Sequence, residues 1–134
     1  KELINSISSD SKNLKKISSV VHPMVRKRMN LFLKKNRNSK MIVLDIPLLV
    51  ENRLYKKKDV LILVKSDRNK IVKRLKKRRN YNKIILKKLK VNQAHLSKKK
   101  KLANFIIENN FSVKTMKYKI KLLKERIFYE RNSS

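Results

Sequence analysis

The most informative stretch of this 134-residue chain is Val43-Leu44-Asp45-Ile46-Pro47-Leu48-Leu49-Val50-Glu51-Asn52. It continues an apolar run from Met41, in which aliphatic and β-branched residues follow one another without polar alternation. Two similar runs occupy residues 59–64 and 105–107. Such runs are typical of strands that are covered on both faces of a parallel sheet. The sequence therefore predicts strands at 41–46, 59–64 and 105–107.

Helical patterns lie before, between and after these runs. Apolar residues recur with helical spacing from Leu14 to Val21, and Pro23 is expected to end this helix and to start a second one. Three later helices are expected to begin at residues whose side chains can cap a helix, namely Asp67, Asn82 and Ser112. Strands alternate with helices, so the predicted fold class is α/β with a parallel sheet.

Asp45 stands at the carboxyl end of the first predicted strand. A carboxylate at such a buried position is unfavourable unless a cation meets it. In P-loop enzymes an acidic residue in this place holds Mg²⁺, usually through water, and in open α/β sheets ligands bind beyond the carboxyl ends of the strands. The other interpretation is that Asp45 caps the following turn. The residues alone leave both interpretations open.

The composition argues against several classes of function. The formal net charge is +30, but Lys is spread along the whole chain beside many Asn and Ile residues, which share A/T-rich codons. A biased genome composition therefore explains the charge without a polyanionic partner, and few aromatic side chains are available to stack on bases. Because there is no Gly and no Cys, these residues hold no glycine-rich phosphate loop and no disulfide. The apolar runs are too short to cross a membrane, so a soluble, cytoplasmic protein is expected.

Several motifs, in the same order, resemble the dephospho-CoA kinase family. That family has a strand followed by Asp-Ile-Pro-Leu-Leu-Phe-Glu, and residues 45–51 differ from this string only by Val50 in place of the Phe. Upstream, the family has a His-Pro pair followed by an Arg, which is similar to His22-Pro23 with Arg26.

The resemblance continues downstream. Asp67 precedes Arg74-Leu75-Lys76-Lys77-Arg78, which is similar to the Arg-Leu-x-x-Arg string of the family's lid helix. Gln93 and a Lys-rich stretch that includes Lys99 come next. The last motif is Ala103-Asn104-Phe105-Ile106-Ile107-Glu108-Asn109, where the family has Asp at the positions of Asn104 and Glu108.

The resemblance implies a partial P-loop kinase fold, with three α/β/α layers and a parallel sheet that lacks its N-terminal strands. Residues 1–38 would form a helical acceptor-binding region, 39–66 the core strands, 67–101 the lid helices, and 102–134 the last strand and the C-terminal helix. The family's glycine-rich loop and its general-base Asp lie upstream of the residue that matches Lys1. The chain is therefore expected to be the C-terminal portion of a single domain, inactive by itself.

The implied reaction is the last step of coenzyme A biosynthesis, in which ATP phosphorylates the ribose 3′-hydroxyl of dephospho-CoA with Mg²⁺. The resemblance implies a monomer with no nucleic-acid or membrane partner. One alternative is a small basic RNA-binding or ribosome-associated protein. Another P-loop nucleotide kinase is the second alternative, and the strings at His22-Pro23 and 45–49 argue against it.

The resemblance also implies residue roles. Arg74 and Arg78 would be catalytic, because residues four apart share one helical face and both could reach a triphosphate. Asn109 and Lys99 would bind ATP, and Asp45 would hold Mg²⁺ through water. The acceptor would be bound by His22, Arg26, Pro47, Leu48, Leu49 and Glu51.

Most of these residues also have a plainer interpretation. The two arginines would then lie on a solvated basic face, Asn109 would be a turn residue, and His22 would be structural. The two leucines would belong to the core. His95 stands where Pro is common in the family, and no role is predicted for it.

Overall fold

A computed structural model describes residues 11–79, 81–91 and 93–133, which contain five helices and two strands. In chain order the elements are α1 Ser11–Lys35, β1 Ile62–Ser66, α2 Arg68–Lys76, α3 Lys83–Val91, α4 Leu96–Leu102, β2 Phe105–Asn109 and α5 Val113–Asn132. The predicted α/β class is confirmed. The elements belong to two compact units. One comprises the described residues up to Lys57 with Asn82–Ala94, and the other comprises Lys58–Tyr81 with the described residues from His95 onwards.

The two strands form a parallel sheet in the second unit. Ile62 pairs with Phe105, and the register runs without interruption to Ser66 beside Asn109. Both strands were predicted, although β1 begins at Ile62 rather than at residue 59 and both strands extend further at their carboxyl ends. Because the strands are parallel, their carboxyl ends lie at the same edge of the sheet.

Asn104 extends the pairing beyond the first residue of each strand. The Leu61 N–H donates to Asn104 Oδ1 at 2.8 Å, and the Asn104 N–H donates to the Leu61 carbonyl at 2.9 Å. Further along, Lys65 Nζ and Glu108 Oε1 form an exposed ion pair at 3.1 Å. The side chain of Asn104 thus fixes where the two strands begin to pair.

Asn104→Ala is expected to loosen this end of the sheet. The substitution leaves the Leu61 N–H without its acceptor, and a hydrogen bond of this kind contributes about 1 kcal/mol. The amide of Leu61 should then exchange with solvent roughly fivefold faster. Asn104→Asp, which keeps an acceptor oxygen at the same place, is the matched control. Hydrogen exchange measured at Leu61 checks this, and equal rates in all three proteins would show that the side chain has no such role.

The strand predicted at residues 41–46, in the segment 39–66 assigned to core strands, is wrong. These residues are irregular, and Val43 is 75% exposed. A parallel strand exists only where a neighbouring strand accepts and donates its backbone hydrogen bonds. In the described part of the chain, no backbone hydrogen bond joins 41–46 to another segment. The apolar pattern is that of a strand, but the segment has no strand to pair with among these residues.

The predicted helix break at Pro23 is also wrong. α1 continues through Pro23 from Ser11 to Lys35. A proline inside a helix removes one hydrogen bond and costs about 3 kcal/mol, which long helical segments on both sides of it can offset. His22 and Arg26 are therefore four residues apart in one helix and lie on the same face.

The three predicted helix starts are confirmed. Asp67 Oδ1 accepts from the Lys70 N–H at 2.8 Å, at the start of α2. Asn82 Oδ1 accepts from the backbone of Ile84 at 2.9 Å, before α3. Before α5, the Ser112 hydroxyl accepts from the Thr115 N–H at 3.4 Å. In each case a short polar side chain binds an N–H that the first helical turn leaves without a partner.

Apolar side chains are widely exposed in the described residues. Ile107 is the buried hydrophobic residue of this part of the chain, whereas Val64 is 56% exposed and Ile106 is 48% exposed. Parallel sheets normally have both faces covered, so this sheet presents apolar surface of the kind that other elements usually cover. Across residues 11–79, 81–91 and 93–133, no helix combines the length and the apolar character that a membrane crossing requires.

Candidate functional site

The carboxyl edge of the sheet carries a tightly held loop. β2 ends at Asn109, whose Oδ1 accepts from the Phe111 N–H at 2.7 Å. The Oδ1 of Asn110 accepts from the Ser112 N–H at 3.1 Å, and Ser112 then caps α5. Phe111 has a left-handed backbone with φ 67°. Asn109, predicted to bind ATP, therefore orders this loop through its side chain.

Arg74 reaches the same loop from α2. Its guanidinium lies over the ring of Phe111, 4.6 Å from the centroid, a geometry in which the cation is attracted to the π face. Arg74 is exposed, and no carboxylate of the described residues pairs with it. The structure thus places Arg74 and Asn109 in one local arrangement through Phe111, with the charge of Arg74 uncompensated.

Arg78 does not share the helical face of Arg74, so that prediction is corrected. α2 ends at Lys76, and Arg78 lies in the turn that follows. The N–H groups of Lys77 and Arg78 donate to carbonyls three residues back, at 3.2 and 3.0 Å. These tighter bonds replace the four-residue spacing of the α-helix. The run of basic side chains in this turn, with no acidic neighbour to offset their repulsion, disfavours further helix.

Lys99 lies on α4, where its side chain is half-buried. Its carbonyl accepts from the Ala103 N–H at 3.1 Å, which closes the last turn of that helix. Lys99 belongs to the same compact unit as Arg74 and Asn109.

In the other unit, residues 47–53 form a turn that holds four of the six predicted acceptor-binding residues, Pro47, Leu48, Leu49 and Glu51. Leu48 and Arg53 have left-handed backbones, with φ of 56° and 49°. A positive φ is an outlier for a bulky residue and is found where the surroundings enforce it. Pro47 is exposed, and Leu49 is half-buried beside Leu48.

Glu51 serves as an anchor within this unit. Its Oε1 accepts from the Ala94 N–H at 2.7 Å, so the turn is tied to the segment that follows α3. The structure shows that the carboxylate holds the backbone of this segment, and its binding of the acceptor stays a prediction.

Asp45 precedes the turn and is exposed. Among the described residues it makes no hydrogen bond or ion pair, so the contact that a turn-capping role requires is missing. A free carboxylate of this kind fits Mg²⁺, which keeps several waters and takes one or two carboxylates together with substrate phosphates.

His22 and Arg26 lie one turn apart on α1, where His22 is half-buried and Arg26 exposed. A break at Pro23 would have placed the two residues in different helices, so the sequence did not predict this shared face.

Comparison with known proteins points to one family. The model of the family described as "Dephospho-CoA kinase" matches residues 1–115. The chain belongs to the dephospho-CoA kinase family. A dephospho-CoA kinase of Oceanobacillus iheyensis is 35% identical over 119 residues, which are 85% of this chain and 58% of that protein. One of Leptospira interrogans is 28% identical over 124 residues, which are 92% of this chain and 59% of that protein.

A relative from Rhizobium etli, also named dephospho-CoA kinase, is 38% identical over 68 residues, or 49% of this chain and 34% of that protein. The chain thus spans little more than half the length of the relatives it matches over most of its own residues. All the predicted site residues lie inside the matched range 1–115.

Phe111 was missed by the sequence analysis. The sequence indicates only that Phe111 lies between two short polar residues, Asn110 and Ser112, in a loop that has no Gly. Neither the left-handed backbone nor the contact with Arg74 can be deduced from that position.

Proposed function

We propose that the protein to which this chain belongs is a dephospho-CoA kinase, which transfers the γ-phosphoryl group of ATP to the ribose 3′-hydroxyl of dephospho-CoA. The observation that carries this proposal is the family match over residues 1–115, which includes every motif used for the assignment. The test is ATP-dependent phosphorylation of dephospho-CoA, followed by appearance of coenzyme A. We also propose a monomeric, cytoplasmic enzyme that needs no nucleic acid or membrane.

For ATP, we assign the residues of the second unit. Phosphoryl transfer depends on positioning and on neutralising the charge of the phosphates. Arg74 supports this role because no carboxylate in the described part of the chain compensates its charge, and the planar guanidinium suits phosphate oxygens. Arg78 adds a second exposed cation from the turn after α2. Asn109 and Lys99, which belong to the same compact unit, would bind the nucleotide as well.

For the acceptor, we assign residues of the first unit. His22 and Arg26 share a face of α1 and could donate hydrogen bonds to an anionic pyrophosphate. Pro47, Leu48 and Leu49 would form apolar walls, since the strained turn fixes their directions. Glu51 would support these residues by holding the turn through Ala94.

For Mg²⁺, we assign Asp45. The ion, when bound, neutralises charge on the phosphates, and the exposed carboxylate would hold it directly or through its waters. We further propose that the loop holding the β- and γ-phosphates comes from residues outside the 134, because these contain no Gly.

Arg74→Ala and Arg78→Ala are each expected to lower kcat/KM about tenfold to a thousandfold in the complete kinase. A charge-stabilising arginine contributes on the order of a few kcal/mol in the transition state. The control is Lys98→Ala, an exposed cation on α4 for which no role is proposed. Steady-state kinetics with varied ATP measure the effect. Two arginine variants as active as the Lys98 variant would remove both residues from the site.

A further inference from the structure

Phe111 adopts a backbone conformation that its residue type disfavours. Its φ is 67°, which is uncommon for any residue except Gly and an outlier for a bulky one. The left-handed conformation costs about 1–2 kcal/mol for such a residue. The adjacent Asn110 is of a type that tolerates this conformation well, yet the positive φ falls on Phe111. The loop therefore places an aromatic ring where an ordinary turn would have a smaller residue.

Neighbouring side chains enforce this conformation. Asn109 Oδ1 accepts from the Phe111 N–H at 2.7 Å, and Asn110 Oδ1 accepts from the Ser112 N–H at 3.1 Å. Ser112 is in turn fixed as the cap of α5. Strained residues persist where surrounding contacts determine them, and such residues are concentrated at functional sites.

The consequence of this strain is the position of the ring under Arg74. The centroid lies 4.6 Å from the guanidinium carbon. Within the described residues the Arg74 guanidinium donates no hydrogen bond, so its five N–H donors are available to a ligand. No carboxylate of the described residues neutralises Arg74. The contact thus restricts the side chain, while the full positive charge stays without a carboxylate partner among the described residues.

A second arginine provides an internal comparison. Arg126 lies over the ring of Phe105, at 5.2 Å, but its Nε also donates to Glu130 Oε1 at 2.9 Å. Both arginines contact an aromatic ring, and Arg126 is in addition compensated by a carboxylate. Arg74 is therefore the one of these two that is prepared for an anion from outside the chain.

We propose that Phe111 is a positioning residue that holds the Arg74 guanidinium ready for the phosphate chain of a nucleotide. An arginine side chain has about 2 kcal/mol of rotamer entropy to lose, and holding it in advance reduces the loss on binding. The proposal rests on the proposed function for its physiological ligand, since ATP is the polyphosphate that a dephospho-CoA kinase binds. The ring acts through Arg74 and makes no contact with the ligand itself.

The first test uses the 134-residue chain and inorganic tripolyphosphate as the probe. The Nε–Hε resonance of Arg74, assigned with Arg74→Lys, should be displaced by the ring current of Phe111 and should shift as tripolyphosphate is added. Phe111→Leu removes the π face but keeps an apolar side chain, and Leu48 shows that Leu is accepted at positive φ in this chain. This variant should abolish the ring-current displacement and weaken the apparent affinity at Arg74 about two- to fivefold.

Three controls separate positioning from packing. Phe111→Tyr keeps the π face and should restore the affinity at Arg74. Phe105→Leu removes the other ring and should leave Arg74 unaffected. Arg126, compensated by Glu130, should respond to tripolyphosphate only at higher concentrations. An Arg74 resonance without ring-current displacement, or an affinity unchanged in Phe111→Leu, would overturn the proposal.

The second test is a double-mutant cycle in the complete kinase. Phe111→Leu should lower kcat/KM for ATP about two- to fivefold, and it should cause no further loss when Arg74 is already Ala. Independent losses from the two substitutions, or a lowered Tm that Phe111→Tyr does not restore, would show a structural role instead. A complete protein without dephospho-CoA kinase activity would overturn the proposed function alone, because the resonance of Arg74 in the isolated chain still decides the role of Phe111.

Discussion

The 134-residue chain by itself is expected to transfer no phosphoryl group from ATP to dephospho-CoA. Gripping the β- and γ-phosphates needs a loop whose backbone N–H groups approach them closely, and glycine makes that approach possible. The chain has no Gly at all. Arg74 and Arg78 can neutralise charge, but neither replaces the loop that orients the γ-phosphoryl group for attack.

Activity should appear when the N-terminal segment of a family member, with its glycine-rich loop, is fused to the chain or supplied in trans. The control is the same segment with the lysine of its phosphate loop changed to Ala, which should dock but not support turnover. Formation of coenzyme A is the readout, with hydrogen exchange at the exposed Ile62 and Val64 of β1 as an independent measure of docking. Turnover by the purified chain without the segment would contradict this prediction and the assignment of the phosphate site.

The reason to expect docking lies in the sheet. Two parallel strands with exposed apolar side chains are marginal by themselves, because parallel sheets are stable when both faces are covered. The segment at 41–46 has the apolar pattern of a strand without a strand to pair with in the described part of the chain. The exposed apolar side chains of the sheet offer a surface on which an added segment could pack. Protection of β1 without any turnover would separate docking from catalysis.

Local features of the fold were predictable from the sequence, whereas features that depend on distant residues were not. The starts of α2, α3 and α5 follow from Asp67, Asn82 and Ser112, because a cap is a contact within one turn. The strand predicted at 41–46 failed because strand formation needs a partner from elsewhere. The helix break predicted at Pro23 was wrong for a related reason. The sequence cannot show whether the helical segments around a proline offset the hydrogen bond that it removes.

For the site, the sequence provided the residue types and only part of their arrangement. Asn109 was predicted to bind ATP, which stays a prediction, and the structure shows that its side chain orders the loop through Phe111. The spacing of Arg74 and Arg78 predicted one helical face, but α2 ends between them because its last bonds tighten to three-residue spacing. The contact of Arg74 with Phe111 joins residues far apart in the chain, so no local pattern could have indicated it.

Asp45→Asn in the complete kinase is expected to lower turnover about 10- to 100-fold, the range found when a group that orders a metal or its ligands is removed. The substitution keeps the size and hydrogen-bonding shape of the side chain but removes its charge. Because Asp45 is exposed and makes no hydrogen bond or ion pair within the described residues, little folding energy depends on it. The Tm should therefore stay nearly constant while the Mg²⁺ concentration needed for half-maximal rate rises.

Asp67→Asn is the matched control, since it makes the same chemical change at a residue that demonstrably caps a helix. Asp67 accepts from the Lys70 N–H, and Asn caps helices about as well as Asp, so neither the rate nor its Mg²⁺ dependence should change.

Mg²⁺ titrations of the rate, run beside melting curves for the wild type and both variants, distinguish the two interpretations of Asp45. If Asp45→Asn behaved like Asp67→Asn, the charge of Asp45 would not be needed and its assignment to Mg²⁺ would be wrong. If the Tm fell and the Mg²⁺ dependence stayed constant, Asp45 would belong to the scaffold. A selective rise in the Mg²⁺ requirement is the outcome expected of a carboxylate that holds the ion.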